Sequence, residues 1–196
     1  MRLTSVGDDE TVVVMPHKTS LDTYLAGDET THPAEVVHGI VREPPAPAWG
    51  HQVVVGRLYT KIEHHVRRFG LGRVVQAPID VVLEREPALV VQPDIVFVAA
   101  ARLGICDERV WGPPDLVVEV LSSSSRRHDR VVKIGWFQRY GVPECWLVDP
   151  VSCEIEVVSL TPSTRASRVF GRPDRVRSAV LPQLRLRVLD VFADSV

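Results

Sequence analysis

Apolar and polar positions divide the chain into a short list of elements. Between Trp49 and Phe69 the residues Val54, Val55, Leu58, Ile62, Val66 and Phe69 recur at helical intervals and stop at Gly70 and Gly72, which predicts one long amphipathic helix. Three apolar runs follow, Arg73 to Leu83, Asp94 to Ala99 and Asp115 to Leu121, separated by loops near Glu84-Arg85-Glu86-Pro87 and from Gly104 to Pro114. From Leu116 to Leu121 the run is almost wholly Leu and Val without polar alternation, the mark of a strand covered on both faces. Ser122 to Ser125 offers N-caps for a helix from about Arg126 to Tyr140, ended by Gly141 with Pro143 behind it, and Glu144 to Val148 reads as another strand.

The flanks are shorter pieces. Thr19 or Ser20 caps a helix through Leu25, and Glu35-Val36-Val37 and Ile40-Val41 flank His38-Gly39 as a hairpin. Pro44-Pro45-Ala46-Pro47 forbids regular pairing. Beyond Asp149-Pro150 come a strand from Glu154 to Leu160 and a Pro- and Arg-rich tail with strand-like pieces such as Leu184 to Val188. The central order, helix, three strands, helix, strand, predicts an α/β fold in which a mixed sheet is flanked by helices. Residues 1–18 read as a flexible leader and 19–196 as a single domain.

Composition narrows the setting. With 196 residues, 45% hydrophobic and 24% charged, the chain matches a globular protein, and no apolar run reaches the length of about 20 residues that spans a bilayer. Asp8, Asp9 and Glu10 precede the first apolar run, the wrong charge order for a secretory signal, so a cytoplasmic location is expected. Cys106, Cys145 and Cys153 lack metal-ligand spacing and read as reduced thiols. The net charge of −2 excludes a polycation, although seven arginines stand between Thr161 and Leu189 against the single acid Asp174. That segment reads either as a phosphate-tracking strip or, more commonly, as a solvated face.

Chemistry enters at Glu119. A carboxylate inside an apolar strand costs several kcal/mol unless a cation or donors meet it. Asp94 heads the neighbouring strand, so the two carboxylates can approach one ion, and oxygen donors suit Mg²⁺ or Mn²⁺ better than zinc. Lys133 is the candidate cation, one of three lysines among 23 basic residues. Asp129 lies four residues before it, which on spacing alone reads slightly better as a surface helix pair. His51, at the start of the long helix, is a second-rank candidate; His64 and His65 are adjacent and point apart.

These residues, in this order, resemble the PD-(D/E)xK nuclease signature. Gln92-Pro93-Asp94, Pro114-Asp115-Leu116-Val117-Val118-Glu119-Val120-Leu121-Ser122, Asp129 with Lys133, and Tyr140-Gly141-Val142-Pro143-Glu144 leading to Trp146-Leu147-Val148-Asp149-Pro150 are similar to the Uma-two family of endonucleases, as are Glu35 with Gly39 and His51. The resemblance covers about residues 19–160. It implies a restriction endonuclease-like core with an N-terminal helix and hairpin and a C-terminal β extension. Catalysis falls to Asp94, Glu119 and Lys133, with Asp94, Glu119 and the Val120 carbonyl holding Mg²⁺ or Mn²⁺. One departure is that Leu121 occupies the place of the usual lysine, which moves to Lys133. Glu35, His51, Asp80 and Asp129 are second-rank members, and for Asp80 a solvent-facing place on the first core strand is the plainer reading. By their position at the first turns of the last predicted core helix, Arg126, Arg127 and Arg130 are placed to touch phosphate, with a solvated helix end as the plainer reading. The expected substrate is nucleic acid, DNA foremost, cut by phosphodiester hydrolysis, with a homodimer as the plausible assembly. Three rival readings stand beside it: a catalytically silent module of the same fold that binds nucleic acid or a protein, a metal-dependent enzyme acting on a small phosphorylated substrate, and a purely structural α/β protein, which leaves Glu119 unexplained.

Overall fold

The computed structural model describes residues 18–27, 33–122 and 128–193, apart from the side chains of 128 and 129. Ser20 caps α1 (Leu21–Leu25), its Oγ accepting the Thr23 N–H at 3.1 Å. β1 (Glu35–Val37) and β2 (Ile40–Arg42) form the hairpin through His38 (φ 51°) and Gly39 (φ 84°), positive angles that the tight turn requires. α2 (Trp49–Phe69) has the predicted bounds and ends at Gly70 in the left-handed conformation (φ 63°).

The predicted strand from Arg73 to Leu83 is two strands, β3 (Gly72–Gln76) and β4 (Val81–Glu84), in different sheets. Pro78 between them has no N–H to give a ladder, so the chain leaves one sheet there and joins the other. β5 (Leu89–Val91), β6 (Ile95–Ala99), β7 (Val110–Trp111), β8 (Leu116–Val120), β9 (Glu144–Asp149), β10 (Glu154–Leu160) and β11 (Arg165–Phe170) complete the strands. Both β5 and β7 lie outside the predicted runs and are too short to show a period of two. The last core helix has a wide π-helical lead, His128–Lys133, and continues as α3 (Ile134–Tyr140). Leu184 to Val188 is not a strand. The tail makes one isolated bridge, Arg175 to Arg187, and turns into α4 (Val188–Phe192).

Two mixed sheets result, β2-β1-β5-β4-β7 and β11-β10-β9-β8-β6-β3. In the larger one β8 runs parallel to β9 and antiparallel to β6. One of its faces is covered by α2 and by Val176, Leu181, Leu186, Val188 and Phe192 from the tail. The opposite face, with Val96, Val117 and Leu147, packs on α3 and on the smaller sheet through Val81, Leu89 and Val91. α1 covers the far side of the smaller sheet. β8 is therefore buried on both faces, and all five of its residues are buried, as its unbroken apolar composition predicts. None of Cys106, Cys145 and Cys153 is in a disulfide. Among the described residues, no helix is long and apolar enough to cross a membrane.

Candidate functional site

The site forms where the start of β6, the end of β8, the first turn of α2 and the lead into α3 meet β1. The antiparallel register pairs Ile95 with Val118, so the next pair along sets Asp94 across from Glu119. Asp94 Oδ2 accepts the Val120 N–H at 2.6 Å and lies 3.3 Å from His51 Nε2. The strand end and the helix start thus converge on one carboxylate oxygen. Val120 meets Asp94 through its amide; its side chain is buried beneath α2.

Glu119 is 4% exposed and alternates with Val117 and Leu121, so it points into the seam between the sheets. There Lys133 Nζ donates to its Oε1 and Oε2 at 3.1 and 3.3 Å. The same ammonium lies 2.9 Å from Glu35 Oε1, on β1. Lys133 is itself 7% exposed. A charge this deep is tolerable because two carboxylates receive its protons.

A second layer holds Glu35. Its Oε1 accepts the Gln92 N–H at 3.2 Å, while the Gln92 side chain accepts from Ala34 N–H at 3.0 Å and donates to Asp80 Oδ1 at 2.9 Å. Asp80 is not on the first core strand and does not face solvent freely. It stands in the turn ahead of β4, where Tyr24 Oη donates to it at 3.2 Å and Arg109 Nε lies 3.6 Å away. Burial and the Asp80 carboxylate raise the Tyr24 phenol well above its usual range, so this donor stays protonated. The sequence shows Gln92 within a motif but marks neither it nor Tyr24 as a site candidate. Gln92 adjoins Asp94 in the Gln-Pro-Asp motif and was open to notice; Tyr24 reads only as an apolar-face residue of α1.

The remaining candidates divide. Arg130 is paired with Glu156 at 2.6 Å. Arg126, Arg127 and the Asp129 side chain lie outside the described residues. Among the described residues, no three His, Cys, Asp or Glu groups gather into a ready metal cage. Glu119 and Glu35 nevertheless share the Lys133 ammonium, and Asp94, with His51 beside it, stands across the strand pair from Glu119. All three carboxylates are oxygen donors, the donor chemistry of a hard divalent cation.

The model of the Uma2 family, described as putative restriction endonuclease, matches residues 21–189. The chain belongs to that family. The crystal structure of a putative nuclease belonging to DUF820 from Anabaena variabilis ATCC 29413 resembles this Uma2 chain with a TM-score of 0.76 at 21% identity, over 90% of this chain and 99% of that one. At that identity the likeness establishes the fold, which is restriction endonuclease-like. No curated protein matches this Uma2 chain.

Proposed function

We propose that this Uma2 protein is a metal-dependent endonuclease that hydrolyses phosphodiester bonds of DNA, with Asp94 and Glu119 holding Mg²⁺ or Mn²⁺ and Lys133 acting beside them. The observation that carries the reading is the Lys133 ammonium on Glu119 in an otherwise apolar strand. A structural role has no need of this costly pair, since well-packed hydrophobic residues in its place are often as stable.

A divalent cation held here supplies charge neutralisation at the scissile phosphate and acidifies water near neutral pH. The chain's own groups do the rest. Asp94 is fixed by the Val120 amide and His51, so it meets a cation preorganised. Lys133 orients the attacking water and offsets the charge that builds on the phosphoryl oxygens. Glu35, oriented by Gln92, sets where the ammonium stands. Arg126 and Arg127 belong to this reading as phosphate contacts. Arg130 contributes less, because Glu156 already takes its charge.

The test is incubation of the purified protein with labelled DNA and RNA and Mn²⁺, beside Glu119→Gln. The variant keeps Glu35 as a partner for Lys133, so its thermal melt stays near that of the parent. Cleavage falls at least about 100-fold, the order seen when a preorganised electrostatic group is removed. Undiminished cleavage by Glu119→Gln sinks the assignment. Absence of Mg²⁺ or Mn²⁺ binding in calorimetry favours a silent nuclease-fold module instead.

A further inference from the structure

Lys133 ends the π-helical lead His128–Lys133, and apolar packing does little to hold that lead in place. Val131 is 62% exposed and Val132 38%, so the two residues before Lys133 leave much of their surface in solvent. Burial resumes at Ile134, which packs in the seam between the sheets. The lead meets the large sheet instead through two cations. Lys133 Nζ lies 3.1 Å from Glu119 Oε1 on β8, and Arg130 Nη1 donates to Glu156 Oε2 on β10 at 2.6 Å.

The two carboxylates share one row. Glu119 pairs with Leu147 across the parallel ladder and Leu147 with Glu156 across the antiparallel one, so all three side chains lie on the face that carries α3. Adjacent strands stand about 4.8 Å apart, which separates Glu119 from Glu156 by about 10 Å and gives the lead two fixed points with one strand between them. One ion pair lets a helical turn pivot; a second, on another strand, fixes its direction. The Arg130 bond to Glu156 is short and charge-assisted, and the Glu156 side chain is 20% exposed. As a stabiliser such a pair is worth little, because the Arg130 side chain keeps 37% of its surface in water. What it supplies is a constraint on the residues that lead into Lys133.

We infer that Arg130 and Glu156 are positioning residues: their ion pair pins the lead to β10 and so fixes where Lys133 presents its ammonium to Glu119. The inference deepens the nuclease reading above, which supplies the reaction that Lys133 serves. A phosphate contact by Arg130 would require the guanidinium to leave Glu156, so the two roles have opposite consequences when Glu156 is removed.

The full chain is compared with Glu156→Ala and Arg130→Met in two measurements. In the first, DNA cleavage with Mn²⁺ is followed over a range of substrate concentrations. Misplacing a reacting group by about 1 Å costs up to about 100-fold, so both variants are expected to lose roughly 10- to 100-fold in kcat with KM near that of the parent. In the second, reductive methylation with formaldehyde is read lysine by lysine by mass spectrometry, with the half-exposed Lys61 as internal reference. Lys133, buried in the parent, is expected to methylate several-fold faster in both variants while Lys61 is unchanged. Circular dichroism and thermal melts stay near those of the parent, since the pair is partly exposed. A lower KM in Glu156→Ala with kcat unchanged, the mark of an arginine freed for phosphate, overturns the inference and leaves the nuclease reading intact. Lys133 methylation as slow as in the parent does the same. A parent that cuts neither DNA nor RNA sinks the nuclease reading instead, and methylation alone then decides the pinning: faster in the variants upholds it, unchanged overturns it.

Discussion

At the scale of the residue, the molecule's most consequential decision is to put one ammonium between two carboxylates. Lys133 lies 2.9 Å from Glu35 and 3.1 Å from Glu119, and all three side chains are shielded from solvent. Removing the ammonium leaves two facing anions with little water to dilute their repulsion. Lys133→Met is therefore expected to lose about 3–5 kcal/mol of unfolding free energy in urea, the range for breaking a buried pair from one side. Adding Glu35→Gln to it removes one of the stranded charges and returns part of the loss. A Lys133→Met protein as stable as the parent contradicts this account. The sequence made the Glu119 problem plain because polarity interrupts an apolar run. It also pointed to Lys133, through the rarity of lysine in an arginine-rich chain. It was nearly silent on Glu35 as a direct partner, because β1 lies far away in the chain and nothing local marks which of its neighbours will face it.

Elements were legible in proportion to their length. The 21 residues of α2 show enough turns for periodicity to fix both ends, and Gly70 supplies the stop. β5 has three residues and β7 two, and each owes its conformation to a neighbouring strand rather than to its own pattern. Within α2, His65 reads from the sequence as a surface or half-buried histidine and is buried, packed on Phe69 with its Nε2 3.0 Å from the Pro182 carbonyl oxygen. Burial, foremost, lowers the imidazole's proton affinity below its usual value of 6.5. The native ring thus refuses a proton that the unfolded ring takes, so this group leaves stability unaffected above pH 6.5 and weakens it as pH falls through that value toward the lower native one. Urea unfolding followed from pH 8 to pH 5 should show a decline in stability that is shallower in His65→Gln. Identical slopes in the two proteins would count against the assignment.

Over the whole molecule, the tail is what the sequence concealed most completely. Its arginines read as a charged strip, yet between them Val176, Leu181, Leu186, Val188 and Phe192 close the core over α2 and the large sheet. Glu144 fastens this segment. Its carboxylate accepts from Trp146 Nε1 at 2.8 Å, Ser178 Oγ at 2.5 Å and Ala179 N–H at 2.9 Å, and it is 1% exposed. Glu144→Ala strands these donors and is expected to cost about 2–4 kcal/mol and to raise the rate of limited proteolysis between residues 171 and 193. Unchanged proteolysis would show that apolar packing alone holds the tail. Fastening of another kind operates at the site. Glu35 belongs to the smaller sheet and Glu119 to the larger, so Lys133 is a rivet through both, and the gap between the sheets is gauged by the reach of one ammonium. Any cation that takes over that position inherits the gauge, and its radius then becomes a mechanical quantity, read by how far apart two sheets are willing to stand.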